Sequence, residues 1–457
     1  MSLFDRTYDS LGSWIFRVRY PLLLILAAGL IIRFVLIPLS VSDSYYWFMT
    51  SENIISDFGL YSRSGFYYSP PFGYILGLST AIGSFVLNMP TFATQIDLLY
   101  MLQAYYPFKS IVTTLTYNVA FKIPLIIGDI LLSYVVYWFV KDRTEEKKKA
   151  VLAFMLCFLC PLMIFESGVH GMFDVFSALM AFVSLIFVSK ERYFLAGLTL
   201  STAVFIKIFP GLLLPIFIAF ILRKYKGNIK TALAKIGQAA VGFVASLLLI
   251  YYPMFLDGTF LQSWSFLTSR VSNAGSLASG TGGSMMALDE VGFLVGIVVQ
   301  VLALIGSIYL AHKYFKCKGN EERTFFLYSM LSLAFAFLWV PMPQYLILLI
   351  PFIVLYAVMY DRRYITPWLF ISFGSVLFIV MVEGPFGLFQ TIATSTGLMN
   401  AEGLIDLLVS YMSGPRLEPY AVIQIIPAAA GAILQFTGVA LLFVYHHKKF
   451  RRYACEA

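Results

Sequence analysis

Long apolar runs separated by short polar segments are the main pattern of this chain of 457 residues. A helix needs about 20 apolar residues to cross the roughly 30 Å hydrocarbon layer of a bilayer. The pattern predicts an all-α polytopic membrane protein with a single transmembrane domain over residues 1–457. Twelve spans are predicted, at residues 21–40, 118–140, 150–165, 172–188, 193–206, 209–222, 237–256, 291–311, 324–340, 344–360, 365–382 and 420–445.

Basic residues set the direction in which these spans cross, because cytoplasmic loops are enriched in Lys and Arg. With the N-terminus inside, 25 of the 32 Lys and Arg residues fall on the inner side, many of them in the segments 141–149 and 223–235. The inner loops are short. The long loops at 41–117, 257–290 and 383–419 are therefore predicted to be extracytoplasmic.

Two apolar stretches are interpreted with the same rule. A crossing by residues 72–89 would place the basic segment 141–149 outside, so this Gly- and Ser-rich stretch is predicted to be an interfacial or re-entrant helix. Joining 193–222 into one span would place 223–235 outside. Residues 206–210 are therefore predicted to form an outer turn, in a vestibule open to the outer face.

Composition excludes several classes of protein. The chain is 60% hydrophobic and 12% charged, with a mean hydropathy of +0.82, whereas soluble domains carry roughly 25% charged residues. An aromatic content of 17% and four cysteines exclude disordered, collagen-like and disulfide-rich proteins. The net charge of +8 is accounted for by inner loops, so no nucleic-acid binding is predicted. No signal peptide is predicted, because residues 21–40 are long enough to remain a span.

Ionisable residues at the predicted outer boundary are candidates for function. Asp43 follows the first span, where its carboxylate can accept a proton from a hydroxyl arriving from outside; a helix cap or an interfacial charge is the alternative. The turn after the third span brings together Glu166, His170 and Asp174. The chain has four histidines, and we favour a functional role for His170.

Two lysines are candidate anion ligands. Lys207 is the one cation of residues 193–222, and it either binds an anion such as phosphate or extends toward the interface. Lys122 and Asp129 lie two helical turns apart, about 10 Å along the axis, which is too far for a direct pair. Asp129 is therefore predicted to be structural, with a partner on another helix. For Lys122, a structural and a functional role remain equally open.

Other motifs carry less information. Tyr68 lies in a proline-stiffened turn, where its ring would suit sugar stacking or structural packing alike. Cys157 and Cys160 lie in an apolar helix without further ligands, and zinc needs four. Motifs for nucleotide hydrolysis, zinc proteolysis and serine-hydrolase chemistry do not occur in the sequence.

The arrangement resembles the GT-C class of integral-membrane glycosyltransferases. The resemblance is to the polyprenyl-phosphate-sugar-dependent branch, which includes bacterial polyprenyl-phosphomannose mannosyltransferases and the eukaryotic GPI and N-glycan transferases. It covers most of the chain. It begins with Asp43 after the first span and with the non-crossing helix in a long outer loop. Its further motifs are Tyr68-Ser69-Pro70-Pro71, Lys122 with Pro124 and Asp129, His170-Gly171 with Phe173-Asp174, Ala196-Gly197-Leu198, Lys207 with Pro210, and Pro343-Gln344-Tyr345-Leu346 with Pro351.

This resemblance implies transfer of a hexose, most often mannose, from a polyprenyl- or dolichyl-phosphate sugar to a glycan or glycolipid. The reaction would invert the anomeric centre on the extracytoplasmic face, with Asp43 as general base. The donor phosphate is assigned to His170, Lys207, Lys122 and Arg270. The acceptor or sugar is assigned to Asp174, Glu166, Tyr68 and Gln344. Many relatives carry a second acid near the base, but Ser42-Asp43-Ser44-Tyr45 has none, so neither a metal nor another cofactor is expected.

Two other functions remain open at this stage. The basic segment 223–235 divides six predicted spans from six, as in a major-facilitator-like secondary transporter. Such transporters have two matched halves, whereas the long loop 41–117 has no counterpart in the second half. A lipid flippase is the other alternative. The short inner loops favour the plasma membrane of an archaeon or bacterium over the endoplasmic reticulum.

Overall fold

The structure is a computed structural model that describes residues 19–41, 43–55, 59–61, 66, 68–87, 93–95, 111–264, 286–338, 342–383, 387–389, 391–392 and 420–454. The regular elements among these residues are helices apart from one antiparallel ribbon, in which β1 (Ala93–Gln95) pairs with β2 (Ile111–Thr113). The helices up to residue 224 are α1 (Pro21–Leu36), α2 (Asp43–Ile55), α3 (Pro70–Leu87), α4 (Leu115–Thr144), α5 (Lys147–Phe158), α6 (Pro161–Phe165), α7 (Asp174–Ser189), α8 (Tyr193–Ile206) and α9 (Leu214–Lys224).

The rest of the described chain continues in the same way. Its α-helices are α10 (Ile229–Leu256), α11 (Met286–Lys316), α12 (Glu321–Phe337), α13 (Ile350–Met359), α14 (Ile365–Glu383) and α15 (Tyr420–Ala454). Short 3₁₀ turns occupy Phe209–Leu213, Pro343–Leu349, Arg362–Tyr364 and Gly387–Phe389, and a π-helical turn occupies Glu166–His170. The predicted all-α architecture is therefore confirmed.

Several helices have the length and composition of membrane spans. Four described segments pass on both counts: Leu115–Thr144, Ile229–Leu256, Arg362–Met381 and Ile425–His447. A fifth is the pair Lys147–Phe158 and Pro161–His170, bent by 47°. Shorter apolar helices include Pro21–Leu36, Asp174–Ser189, Tyr193–Ile206 and the segment Pro343–Met359. The chain is thus a membrane protein whose described residues contain four or five candidate spans, and the number twelve stays a prediction.

The helices differ from the predicted spans mainly at their ends. The predicted spans 118–140 and 291–311 lie within the longer helices α4 and α11, because helical hydrogen bonding continues through polar residues beyond the apolar core. The predicted span 150–165 is instead broken at Cys160, which is extended (φ −61°, ψ 123°) before Pro161. A residue before proline is disfavoured in the α region, which accounts for the bend.

The predicted outer loops contain ordered elements where they are described. The loop 41–117 carries α2, α3 and the ribbon, and the interfacial position expected for its helix stays a prediction. Helix α3 covers Pro70–Leu87, close to the predicted 72–89. Residues 265–285 and most of 383–419 lie outside the described residues.

The described helices group into two compact units, and the single transmembrane domain over residues 1–457 stays a prediction. The first unit contains Met1–Phe48, Ile82–Val175 and Ile350–Leu441. The second unit contains Met49–Ala81, Phe176–Leu349 and Leu442–Ala457. Each unit is therefore assembled from stretches far apart in sequence, a grouping that the apolar pattern alone does not indicate.

A buried ion pair holds the first unit together. Arg33 of α1 is fully buried, and its Nη2 lies 2.7 Å from Oδ2 of Asp129 in α4. Its Nε donates to Oγ of Ser167 at 3.0 Å and to the same Asp129 oxygen at 2.9 Å. Nη2 also donates to the carbonyl of Phe158 at 2.9 Å, at the end of α5. The prediction that Asp129 finds its partner on another helix is confirmed.

Glycines allow close helix packing in the second unit. A Cβ placed on Gly197 of α8 would overlap the carbonyl oxygen of Ala239 in α10, and one on Gly242 would overlap that of Phe194. Small residues at such contacts let helix backbones approach, which is a main source of packing energy between membrane helices. By contrast, a Cβ on Gly237 of α10 would meet open space.

We expect Asp129→Asn to lower the stability of the protein by about 3–5 kcal/mol, because it leaves the Arg33 guanidinium buried without a countercharge. The measurement is the thermal unfolding midpoint in detergent. Asp142→Asn, an exposed carboxylate on the same helix, is the matched control and should leave the midpoint nearly unchanged. Equal midpoints for the two variants would contradict the proposed role of the pair.

Gly242→Ala is expected to destabilise the second unit by about 1–3 kcal/mol, because the added methyl group must displace backbone. Gly237→Ala on the same helix should not lower stability, since its methyl group meets no neighbour. Thermal unfolding of both variants, followed by size-exclusion chromatography, makes the comparison. A larger loss of stability for Gly237→Ala than for Gly242→Ala would contradict the close packing of α8 against α10.

Candidate functional site

Asp43 is the first residue of α2 and belongs to the first unit. A carboxylate at this position is favoured by the positive end of the helix dipole. This position also fits the helix-cap role that the sequence left open for Asp43. Its side chain is 29% exposed. The carboxylate is therefore accessible from outside the protein as well as fixed at a helix start.

His170 lies between Asp43 and Glu166. Its Nε2 is 3.4 Å from Oδ2 of Asp43, within ion-pair distance, and its Nδ1 is 2.8 Å from Oε2 of Glu166. The His170 and Glu166 side chains are 4% and 1% exposed. The structure thus brings together three residues singled out from the sequence and arranges them as carboxylate, imidazole and carboxylate, with one end open.

A π-helical turn shapes this cluster. Residues Glu166–His170 form the turn, and Gly171 ends it in the left-handed conformation with φ 77°. The amide of Gly171 donates to the carbonyl of Glu166 at 2.7 Å. A Cβ on Gly171 would collide with the Phe121 ring, so glycine is required here for both space and conformation. Single π turns of this kind frequently occur at functional sites.

Aromatic contacts fix the start of α2 against its neighbours. The Trp47 ring packs edge-on against Phe173, with centroids 5.6 Å apart. Phe48 makes a similar edge contact with Tyr117 of α4, also at 5.6 Å. Because Trp47 lies one helical turn after Asp43, these contacts orient the helix end that carries the exposed carboxylate.

Lys122 is fully buried and supports the chain just before Asp43. Its Nζ donates to the carbonyls of Ile37 and Gly168, at 3.0 Å each, and to that of Leu39. An ammonium has three donors, and carbonyls at a helix end lack intrahelical partners. These bonds therefore leave Lys122 without an N–H group for a phosphate, and its role in this structure is to hold the C-terminal end of α1.

A buried polar cluster anchors the same segment from another side. Ser40 Oγ lies 2.8 Å from Oγ1 of Thr391, and the Ser40 amide donates to the carbonyl of Leu388 at 3.1 Å. Asn118 Nδ2 donates to Thr391 Oγ1 at 3.3 Å, and that hydroxyl donates to the carbonyl of Thr113 at 3.0 Å. The chain between α1 and α2 is thus tied to a segment near residue 390.

Lys207 lies in the second unit, at the break after α8. Its backbone is extended (φ −147°, ψ 138°), which ends the helix where the sequence predicts a turn. The side chain is buried, and Nζ lies 4.8 Å from the ring centroid of Tyr68 and 5.0 Å from that of Tyr345. Aromatic faces stabilise a desolvated ammonium. Lys207 is therefore a buried cation held between two tyrosines.

Tyr61 supports this pair from the same unit. Its hydroxyl donates to the carbonyl of Tyr68 at 2.7 Å. Burial raises the pKa of Tyr61 above its usual value, so the hydroxyl stays protonated and remains a donor.

The other predicted site residues fall in different surroundings. Asp174 is fully buried in the first turn of α7, and Glu166 is 1% exposed. Neither carboxylate has surface available for a sugar in this conformation, which does not suit the acceptor-binding role predicted for them. Gln344 is half-buried in the turn Pro343–Leu349. Arg270 lies outside the described residues.

Some residues that support the segment around Asp43 were not identified from the sequence. Arg33, the partner of Asp129, was a detectable signal, because it is the one charge in the first apolar run. The spacing of four residues between Glu166 and His170 also fits one helical face. Ser40, Asn118 and Thr391 gave no comparable signal, because isolated polar residues occur throughout the chain.

The geometry of the cluster suits proton transfer. A carboxylate within hydrogen-bond reach can accept a proton from a hydroxyl. Asp43 is accessible and has an imidazole on its inner side, whereas both ring nitrogens of His170 face carboxylates. The phosphate contact predicted for His170 therefore does not suit its observed neighbours.

Comparison with known proteins adds a family match. A family model described as Glycosyltransferase family 87 matches residues 67–341, more than half of the chain. The matched segment includes Lys122, the Glu166–His170 turn and Lys207, while Asp43 precedes it. No match was found among curated proteins.

Lys122→Met should reduce stability by roughly 3 kcal/mol or more, because it leaves several buried carbonyl groups without donors. Lys141→Met, an exposed position on the same helix, is the control and should unfold like the unaltered protein. Thermal unfolding in detergent tests this difference. Unchanged stability of Lys122→Met would rule out the anchoring role assigned to its ammonium.

Proposed function

The chain belongs to glycosyltransferase family 87, and from this premise we propose that it transfers a hexose, most simply mannose, from a lipid-phosphate sugar. The donor in this proposal is a polyprenyl- or dolichyl-phosphate sugar, and the acceptor is a glycan or glycolipid. Family membership supports a glycosyltransferase over the transporter and the flippase considered from the sequence.

Membrane physics supports a lipid-linked donor. Such a donor reaches the protein from the bilayer, while a hydrophilic acceptor arrives from the water phase, so the two meet at the membrane boundary. The distribution of Lys and Arg favours the extracytoplasmic boundary for Asp43, and we propose transfer on that side. We propose the plasma membrane of an archaeon or bacterium as the location.

In the proposed reaction, Asp43 acts as the general base. Its carboxylate accepts the proton of an acceptor hydroxyl as that oxygen bonds to the anomeric carbon. The bond from that carbon to the phosphate oxygen breaks, and its electron pair leaves with the phosphate, so the configuration inverts. The observation that carries this proposal is the partly exposed Asp43 carboxylate 3.4 Å from the buried imidazole of His170.

The leaving phosphate needs positive charge, because preorganised cations stabilise charge that develops in the transition state. We propose Lys207 for this role, together with Arg270 as the sequence predicts. Lys207 is supported by its burial, since a desolvated ammonium attracts an anion more strongly than an exposed one. Tyr68 and Gln344 remain the proposed contacts to sugar or acceptor.

The proposal includes no metal ion. The segment around Asp43 contains no second acid, so it offers no acidic pair to a divalent cation. Charge stabilisation is therefore assigned to basic side chains.

Asp43→Asn is expected to reduce sugar transfer by about 10²–10⁴-fold, because the amide cannot accept the proton. The assay uses purified protein in lipid nanodiscs with dolichyl-phosphate-mannose as donor. A panel of alkyl glycosides and a glycolipid extract serve as acceptors. Formation of the product glycoside and release of dolichyl phosphate are measured together.

Asp142→Asn, an exposed carboxylate elsewhere in the chain, is the control and should transfer at the unaltered rate. Wild-type-like transfer by Asp43→Asn would exclude Asp43 as the base. An unaltered protein that leaves the donor intact with every acceptor would contradict the proposed donor class.

A further inference from the structure

Glu166 is a buried acid next to the proposed base but not in contact with it. Its side chain is 1% exposed, and Oε2 lies 2.8 Å from Nδ1 of His170. Its other oxygen, Oε1, is buried and has no hydrogen-bond partner among the described residues. The contact with His170 is therefore the polar interaction that the structure gives this carboxylate.

The hydrogen on the imidazole follows from this contact. A carboxylate can only accept hydrogen bonds, so Nδ1 of His170 carries the hydrogen between the two groups. This bond prevents the ring from flipping, because a flip would replace the N–H donor by a carbon. Phe165 packs against the imidazole with centroids 6.3 Å apart and limits its tilt. The contacts with Glu166 and Phe165 therefore fix the position of Nε2, the ring atom that faces Asp43.

The backbone enforces the same arrangement. Glu166 and His170 begin and end one π turn, which keeps both side chains on one face. The amides of Gly171 and Met172 both donate to the Glu166 carbonyl, at 2.7 and 3.1 Å. The turn is thus closed at the residue that supplies the inner carboxylate.

We propose that Glu166 is a positioning residue, which fixes the Asp43 carboxylate for proton transfer by holding the His170 imidazole. This inference rests on the proposed function, in which Asp43 is the base. Oδ2 of Asp43 faces Nε2, and in this proposal the other oxygen accepts the proton of the acceptor hydroxyl. Glu166 acts through the ring and touches neither the donor nor the acceptor, unlike the sugar-binding role predicted from the sequence.

A mutant cycle separates these two roles. If Glu166 acts only through His170, its removal matters in the unaltered protein and loses its effect once the imidazole is absent. A carboxylate that contacts the sugar would keep its effect in both backgrounds. The variants are Glu166→Gln, Glu166→Ala, His170→Ala and the double variant Glu166→Ala with His170→Ala.

The assay is the transfer reaction in nanodiscs, with dolichyl-phosphate-mannose and the acceptor that the unaltered protein uses. We expect Glu166→Ala to reduce kcat about 10–100-fold and to change either KM by less than about threefold, because positioning affects the transition state more than substrate binding. Glu166→Gln should retain more activity, because its amide oxygen can still accept from Nδ1. In the His170→Ala background, adding Glu166→Ala should lower kcat further by less than about threefold.

Ser167→Ala is the matched control, because Ser167 lies in the same π turn but bonds to Asp129 and Arg33. It should alter thermal stability without a selective loss of kcat. Unfolding midpoints of all variants establish that they are folded. If Glu166→Ala does not fold, Glu166→Met takes its place in both the single variant and the cycle, because its side chain fills the space without accepting a hydrogen bond from Nδ1.

Three results would overturn the inference: unaltered kcat in the Glu166 variants, an equal Glu166 effect in both backgrounds, or a rise in acceptor KM at constant kcat. Each of these is compatible with a proton-accepting Asp43, so they leave the proposed function standing. Failure of that function is instead recognised by full transfer in Asp43→Asn.

Discussion

The guanidinium of Arg33 imposes the main constraint on the first unit, because it is fully buried in a chain of which only 12% is charged. Removing such an ion from water costs several kcal/mol unless partners compensate it. Those partners come from three places at once: the Asp129 carboxylate, the Ser167 hydroxyl and the Phe158 carbonyl. Helix α1 can therefore pack only where α4, the end of α5 and the π turn already meet.

The same requirement applies to the other buried polar side chains of the first unit. Lys122 satisfies carbonyls at the end of α1 and one within the π turn, and His170 of that turn lies between Glu166 and Asp43. Arg33, Lys122 and His170 are each matched to neighbours of suitable chemistry. Along this series Asp43 is the one side chain that is appreciably exposed, so the polar network leads to a single accessible carboxylate.

The apolar pattern predicted most helices, because burial in lipid or protein requires apolar sequence whatever the tertiary arrangement. It did not predict the bend at Cys160. The family resemblance assigned Lys122 to the donor phosphate, whereas the structure gives its ammonium three backbone carbonyls. Such acceptors are invisible in sequence, since every residue carries one. Asp43 and His170 were found as candidates because ionisable residues are rare here. The interaction of Glu166 with His170 depends on a π turn that local propensity does not encode.

The bonds from Ser40 to Leu388 and Thr391 span a large sequence separation, 351 residues for the hydroxyl pair. During synthesis a chain emerges from its N-terminus, so α1 and α2 are made long before their late support exists. The segment that carries Asp43 can reach its final arrangement only after nearly the whole polypeptide has been inserted. Completion of the site is thereby coupled to completion of biogenesis, and a prematurely ended product would lack this anchor.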